Sequence, residues 1–292
     1  MDHRLRTGLL TVLALLAFAS NSVLCRLALG HAAIDAASFT TIRLLAGATT
    51  LWMVAGFFTR ADPTPSRGSW GSGAALFLYA AGFSFAYLSL SAGTGALVLF
   101  GSVQATMMLV GLRAGERLHP WQWAGFVIAL GGLVILVFPG LTAPSPLGAT
   151  LMASAGAAWG VYSLRGRGVR TPTLVTADNF VRSVPLAALV SLATLSHAHW
   201  SATGIWLAGL SGSLASGIGY VIWYAALRGL TATRAATVQL SVPVLVSFGG
   251  VIFLSEAVSL RLMVASILIL GGVGLTVAGR QWLGMVPSPG RH

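Results

Sequence analysis

The sequence predicts an all-α integral membrane protein whose ten transmembrane helices form two inverted five-helix repeats. Three observations lead there. The 292 residues are 56% hydrophobic and 8% charged, with a mean hydropathy of +0.84, whereas a soluble domain carries about a quarter charged residues. Residues 94–136 recur in the second half of the chain. Aligning Glu116 with Glu256 also brings Gly131-Gly132 onto Gly271-Gly272, and Gly95-Ala96-Leu97-Val98 onto Ala235-Ala236-Thr237-Val238. Finally, the arginines cluster in every second connection between apolar runs, the bias expected of loops kept in the cytoplasm.

Each span follows from an apolar run of about twenty residues, the length needed to cross a bilayer. The first repeat (1–138) holds runs at 8–29, 36–58, 70–90, 93–112 and 121–138. The second (139–292) holds them at 147–164, 174–195, 202–227, 234–254 and 262–279. The first run follows Arg4 and Arg6 and resembles a signal peptide as far as Ser20. Its apolar character continues to Leu29, however, and 18–26 resembles 159–167, with Ser22 facing Ser163 and Arg26 facing Arg167. A repeated element is expected to stay, so this run is the first span. Pro63-Thr64-Pro65 separates the second and third spans, Gly93 opens the fourth and Pro120 precedes the fifth. The stretch from Pro139 to Pro146 divides the halves, and Pro172 precedes the seventh span. The fourth and ninth spans both run to a lone glutamate, Glu116 and Glu256.

With the amino terminus inside, the inner segments hold Arg4 and Arg6, Arg60 and Arg67, Arg113 and Arg117, Arg165 to Arg170, Arg228 and Arg234, and Arg280. The outer loops hold none of their own; Arg26 and Arg261 flank two of them. Both termini are therefore expected in the cytoplasm. Five spans per half is an odd number, so the second copy is expected upside down relative to the first. Inverted repeats suit a carrier, because two related halves can rock about a central site and expose it to either side.

Other functions find little footing. The formal charge of +11 comes from arginine, without lysine, and its placement between apolar runs serves topology rather than nucleic-acid binding. Cys25 is the single cysteine, so no internal disulfide is possible. No Walker A sequence, HExxH motif or nucleophile elbow is present, so neither catalytic residues nor a cofactor is expected. His197 and His199 have no cysteine or carboxylate beside them, which argues against a metal site. The expected partners are a small-molecule substrate and the lipid bilayer. Oligomeric state stays open, a monomer being compatible with the sequence.

A transporter needs a few polar groups at mid-membrane to replace water around its substrate. By depth these are Asn21, Tyr79, Gln104 and Gln239, joined by the aromatic Trp159 and Tyr220. Tyr79, Phe83 and Tyr87 recur at i, i+4 and i+8, as Tyr220 and Tyr224 do at i and i+4, so each set shares one helix face. Aromatic walls with a few amides suit a zwitterion bearing an apolar or aromatic side chain. Packing of the bundle is the competing role for the aromatics. Arg43 and Arg182 occupy matching places in the two halves. Arg182 has Asp178 one turn earlier, which reads as a structural ion pair. Arg43 could bind helix-end carbonyls, snorkel outward or meet a substrate carboxylate. The cost of an unpaired charge favours a structural role, since it applies without substrate too. Glu256 is expected to meet Arg113, Arg117 or Arg261 near the surface.

These residues resemble a known family. The Phe39-x-x-x-Arg43 and Phe180-x-Arg182 segments, Trp159-Gly160, Val242-Pro243, and the endings Leu-Ser-Glu256 and Ala114-Gly115-Glu116 are similar to the drug/metabolite transporter superfamily, in its ten-helix branch of two EamA-type halves. Within it the chain looks most like bacterial amino-acid exporters, including those for aromatic amino acids. One departure stands out: Pro243 faces Val103, so the proline typical of the fourth span is missing. The resemblance implies a secondary transporter in the bacterial inner membrane, exporting small organic metabolites by alternating access. A multidrug or nucleotide-sugar-like carrier is the alternative within the superfamily. A structural membrane subunit or an intramembrane enzyme is the alternative outside it.

Overall fold

The computed structural model describes residues 3–58, 66–115, 119–138, 143–166, 168–230, 235 and 238–285. These residues are helical throughout, apart from short connections and an isolated antiparallel bridge between Ile34 and Trp200. The helices are α1 (His3–Gly30), α2 (Ala36–Phe58), α3 (Trp70–Ala86), α4 (Ala92–Arg113) and α5 (Pro120–Val137). They continue as α6 (Pro146–Arg165), α7 (Pro172–Ala193), α8 (Ala202–Leu227), α9 (Val242–Leu254) and α10 (Leu260–Met285). By length and composition, α1, α4, α5 and α8 can each cross a membrane. The expected third span stops at Ala86 rather than residue 90, because the chain turns through residues 87–90 toward α4. Part of the expected ninth span, with Glu116, Arg117 and Arg167, lies outside the described residues.

Serines start several helices. Ser69, Ser91, Ser145 and Ser201 each accept the N–H three residues on, filling one of the donors a helix start leaves open. Pro120, Pro146 and Pro172 sit at first helical positions, where a missing N–H costs nothing. The distribution of polarity is inverted relative to a soluble protein. Trp52, Phe57, Trp206, Phe248 and Ile252 are exposed, while Asn21, Thr40, Arg43, Ser84, Asn179 and Ser211 are buried. An apolar exterior around a polar interior is what a bilayer solvent requires.

The helices pair in a regular way. α3 packs on α6 and α8 on α1; α4 packs on α6 and α9 on α1; α7 packs on α3 and α2 on α8. α2 faces α7, α4 faces α9, and α5 faces α10. Glycines set the closest approaches. A Cβ at Gly156 would lie 2.5 Å from the Leu99 carbonyl oxygen, and one at Gly272 would lie 2.5 Å from that of Gly125. The Gly156-x-x-x-Gly160 and Gly125-x-x-x-Ala129 stripes thus carry α6 against α4 and α5 against α10. On α10 the close approach is made by Gly272, whereas Gly274 has only the tip of Leu240 near it.

α8 is not uniform. Ser211–Ile218 is wound as a π-helix between two α-helical segments. Its small residues press on α2: a Cβ at Gly212 would lie 2.2 Å from the Arg43 carbonyl oxygen. π turns within α-helices are rare and frequent at functional sites.

Candidate functional site

A central cavity of about 50 Å³ opens where α1, α2, α3, α4, α6 and α8 meet. It has room for a few water molecules. Its wall brings together Asn21, Arg43, Tyr79, Trp159, Tyr220 and Gln239, along with Phe18, Ser22, Phe83, Phe100 and Ser216. Gln104 is placed elsewhere: it faces a smaller crevice between α4, α5 and α10 with Met108, Phe126 and Leu133. Its depth along α4 matches the cavity, but its face of the helix does not.

The aromatic groups form one continuous cluster. Tyr79 and Tyr220 both lie on Trp159, with ring centroids at 4.7 Å and 5.6 Å, and Tyr220 also meets Phe18 at 5.8 Å. Such pairs add about 0.5–1.5 kcal/mol each beyond their area. Tyr224 continues the cluster and shares a hydrogen bond of 2.7 Å with Thr176. Tyr162 also stacks on Trp159, with ring centroids at 5.4 Å.

Asn21 is held by its neighbours. Its Oδ1 accepts from Ser211 Oγ at 2.7 Å, and its Nδ2 approaches the Tyr79 hydroxyl at 3.5 Å. Ser211 is the first π-helical residue of α8, so the irregular segment and the amide are linked directly.

Among the described residues Arg43 pairs with no carboxylate, and it does not snorkel. It is 2% exposed, and its Nη2 donates to the Tyr79 hydroxyl at 3.1 Å. Its guanidinium lies over the Tyr79 and Phe83 rings, 5.3 Å and 5.0 Å from their centroids. Nε and Nη1 are buried without a hydrogen-bond partner among the described residues. Unmet buried donors cost about 1–3 kcal/mol, and more on a charged group. Asp178 and Arg182, by contrast, form an ion pair one helical turn apart on α7. Asp178 also accepts the Gly68 N–H at 2.7 Å, beside Asn179, which accepts that of Ser69 at 3.0 Å. Both bonds tie the linker before α3 to α7.

The linker before α8 is tied to α2 in a similar manner, at the end of the bundle where α1 finishes. The His199 N–H donates to Asp35 Oδ2 at 3.1 Å, the Asp35 N–H to the His199 carbonyl at 3.0 Å, and the Ser201 N–H to the Ala33 carbonyl at 2.8 Å. Burial alone would raise the Asp35 carboxyl, but hydrogen bonds from Ser38 and His199 together outweigh it and hold it below its usual 3.8.

At that same end, Glu256 departs from expectation. Its carboxylate pairs with Arg26 at 3.0 Å and accepts the Ala92 N–H at 2.7 Å, while Arg26 also donates to the Tyr87 carbonyl at 2.9 Å. Arg113 cannot reach it, because α4 begins rather than ends beside Glu256, and Arg261 instead donates to the Phe138 carbonyl. Sequence reasoning missed this clasp between α1, α4 and α9. The Phe18–Trp159 match was its one visible trace, since the same stretch carries Arg26.

Comparison with known proteins places the chain in context. Residues 146–278 match the EamA-like transporter family. An uncharacterized protein of Pseudomonas aeruginosa is 52% identical over 275 residues, which is 94% of this chain and 96% of that protein. An Escherichia coli protein named as a probable amino-acid metabolite efflux pump is 25% identical, over 68% of this chain and 73% of its own length. An uncharacterized transporter of Archaeoglobus fulgidus is 27% identical, over 94% and 98%. A solved crystal structure superposes with a TM-score of 0.63 over 94% of this chain and 98% of its own, at 22% identity, and so shares the fold.

Proposed function

The chain belongs to the EamA-like transporter family and is a membrane transporter rather than an enzyme; from that premise we propose that it exports small organic metabolites, amino acids and aromatic ones among them, across the bacterial inner membrane by alternating access. The observation that carries this reading is the origin of the cavity wall. Phe18 with Trp159, and Tyr79 with Tyr220, occupy equivalent places in the two halves, and all four meet in one cluster. The helix pairings support the same reading, because exchanging each helix of the first half with its counterpart maps the main pairings described above onto one another. Ten spans in two inverted repeats, with both termini in the cytoplasm, give this symmetry its axis in the membrane plane.

In this reading the Arg26–Glu256 clasp closes the periplasmic end of the path. Asn21, Gln239 and Ser216 supply hydrogen bonds in place of water, and the aromatic walls hold an apolar side chain. Purified protein in liposomes, loaded with unlabelled amino acid and offered labelled Phe, Trp, Thr or a cationic dye, tests the proposal. Counterflow of Phe or Trp is expected. Movement of the dye alone would replace amino-acid export with drug export, and a lack of movement by any solute would remove the carrier assignment.

A further inference from the structure

We propose that the central cavity is a carboxylate site anchored by Arg43, and that it takes aromatic carboxylic acids whether or not they carry an α-amino group. The inference rests on the carrier reading above for the site's role, but on separate observations for its chemistry. Arg43 is buried, lines the cavity and keeps Nε and Nη1 without a partner among the described residues. A guanidinium presents its N–H donors in a rigid fork that matches a carboxylate. Tyr79 holds this fork from one side through Nη2 and covers its face, so the group is oriented before any ligand arrives. Trp159 and Tyr220 lie next to it and stack on each other, so a ligand's ring would enter by parting them.

Among the described residues the cavity wall holds no carboxylate to face an ammonium. Among the described residues Asp35, Asp178 and Glu256 are each engaged elsewhere, with His199, Arg182 and Arg26 respectively. The Asn21 and Gln239 amides are neutral acceptors and cannot balance the charge of an ammonium. The site therefore bears a net positive charge, and the ligand's carboxylate, not its amine, is the group it can neutralise. Cations such as arylalkylamines are disfavoured by the same charge.

Purified full-length protein in detergent is titrated with phenylalanine, 3-phenylpropionate and phenethylamine, with binding read by calorimetry. Phenylpropionate and phenylalanine are expected to bind within a fewfold of each other, and phenethylamine about ten- to a hundredfold more weakly, the value of a charge-assisted hydrogen bond. Arg43→Gln is expected to weaken both acids by a similar factor, with partial recovery in Arg43→Lys. Equal binding of phenethylamine and phenylpropionate, no binding of either acid, or full binding of the acids by Arg43→Gln would overturn the proposal. The wild-type ligand series decides the matter even if the variants fail to fold. Counterflow separates this inference from the carrier reading. Phenylalanine that binds through Arg43 but does not move leaves the site and removes the carrier, whereas unchanged phenylalanine transport by Arg43→Gln does the reverse.

Discussion

A buried guanidinium is stable only if its surroundings are arranged for it, and around Arg43 the arrangement depends on one hydroxyl. Tyr79→Phe removes the acceptor for Nη2 and the contact to Asn21 while keeping the ring. Aromatic-acid affinity is expected to fall about tenfold, with thermal stability lowered by about 1–2 kcal/mol, because one more charged donor goes unmet. Calorimetry and a melting curve on the same sample read both. A second residue-scale test uses Cys25, the lone cysteine and fully buried. It adjoins Arg26, so Glu256→Gln, which weakens the clasp, is expected to raise its maleimide labelling rate several-fold; an unchanged rate would deny the clasp any closing role. The polar residues at the centre were legible from sequence because a mid-span Asn, Gln or Tyr stands out against apolar neighbours. Gln104 shows the limit. In a lipid-facing helix both faces are apolar, so periodicity does not tell which one points inward. The partners of Glu256 and Asn21 were not legible either, since both bonds join segments far apart in the chain.

At the scale of helices, close approach and linker clasps decide the packing. Gly156→Ala is expected to destabilise the bundle by about 1–3 kcal/mol, because the added methyl meets the Leu99 backbone, which cannot move aside as a side chain can. Gly131→Ala, with open space around it, should be neutral or mildly stabilising. Melting temperatures of the two variants in detergent check the contrast. The Asp35 clasp between the α1–α2 connection and the linker before α8 adds a pH dependence. With its carboxyl held below 3.8, Asp35 contributes stability that is complete above that value and lost as pH falls through the lower, folded one. Acid melting curves should therefore flatten in Asp35→Asn, most visibly below about pH 4. Element positions followed from hydropathy and Pro/Gly punctuation, and the α8 boundaries 202–227 agree with the apolar run. The π-helical winding inside it was hidden, because Ser-Gly-rich sequence is compatible with an ordinary helix; it coincides with the close approach of Gly212 to the Arg43 backbone.

For the whole molecule, the proposed alternating access rests on the inferred duplication of a five-helix module. Cysteines placed at the two chain ends, in a Cys25→Ser background, are expected to react with an impermeant reagent from the same side of an oriented membrane. Labelling from opposite sides would make the repeats parallel and deprive the cavity of its symmetric exits. The matched glutamates and glycines are the sequence basis of the proposed repeat, whereas the meeting of Tyr79 and Tyr220 on one tryptophan was not legible, because only folding brings them together. The wide-wound stretch of α8 has a mechanical corollary. Rewound as an ordinary helix, which turns about 100° per residue and so more than the wider π winding, the same stretch would rotate one flank against the other. Ser211 could then keep its grip on Asn21 only if Tyr220 left the face of Trp159. Rewinding would make the helix a screw, able to turn an aromatic wall aside without unfolding a single turn.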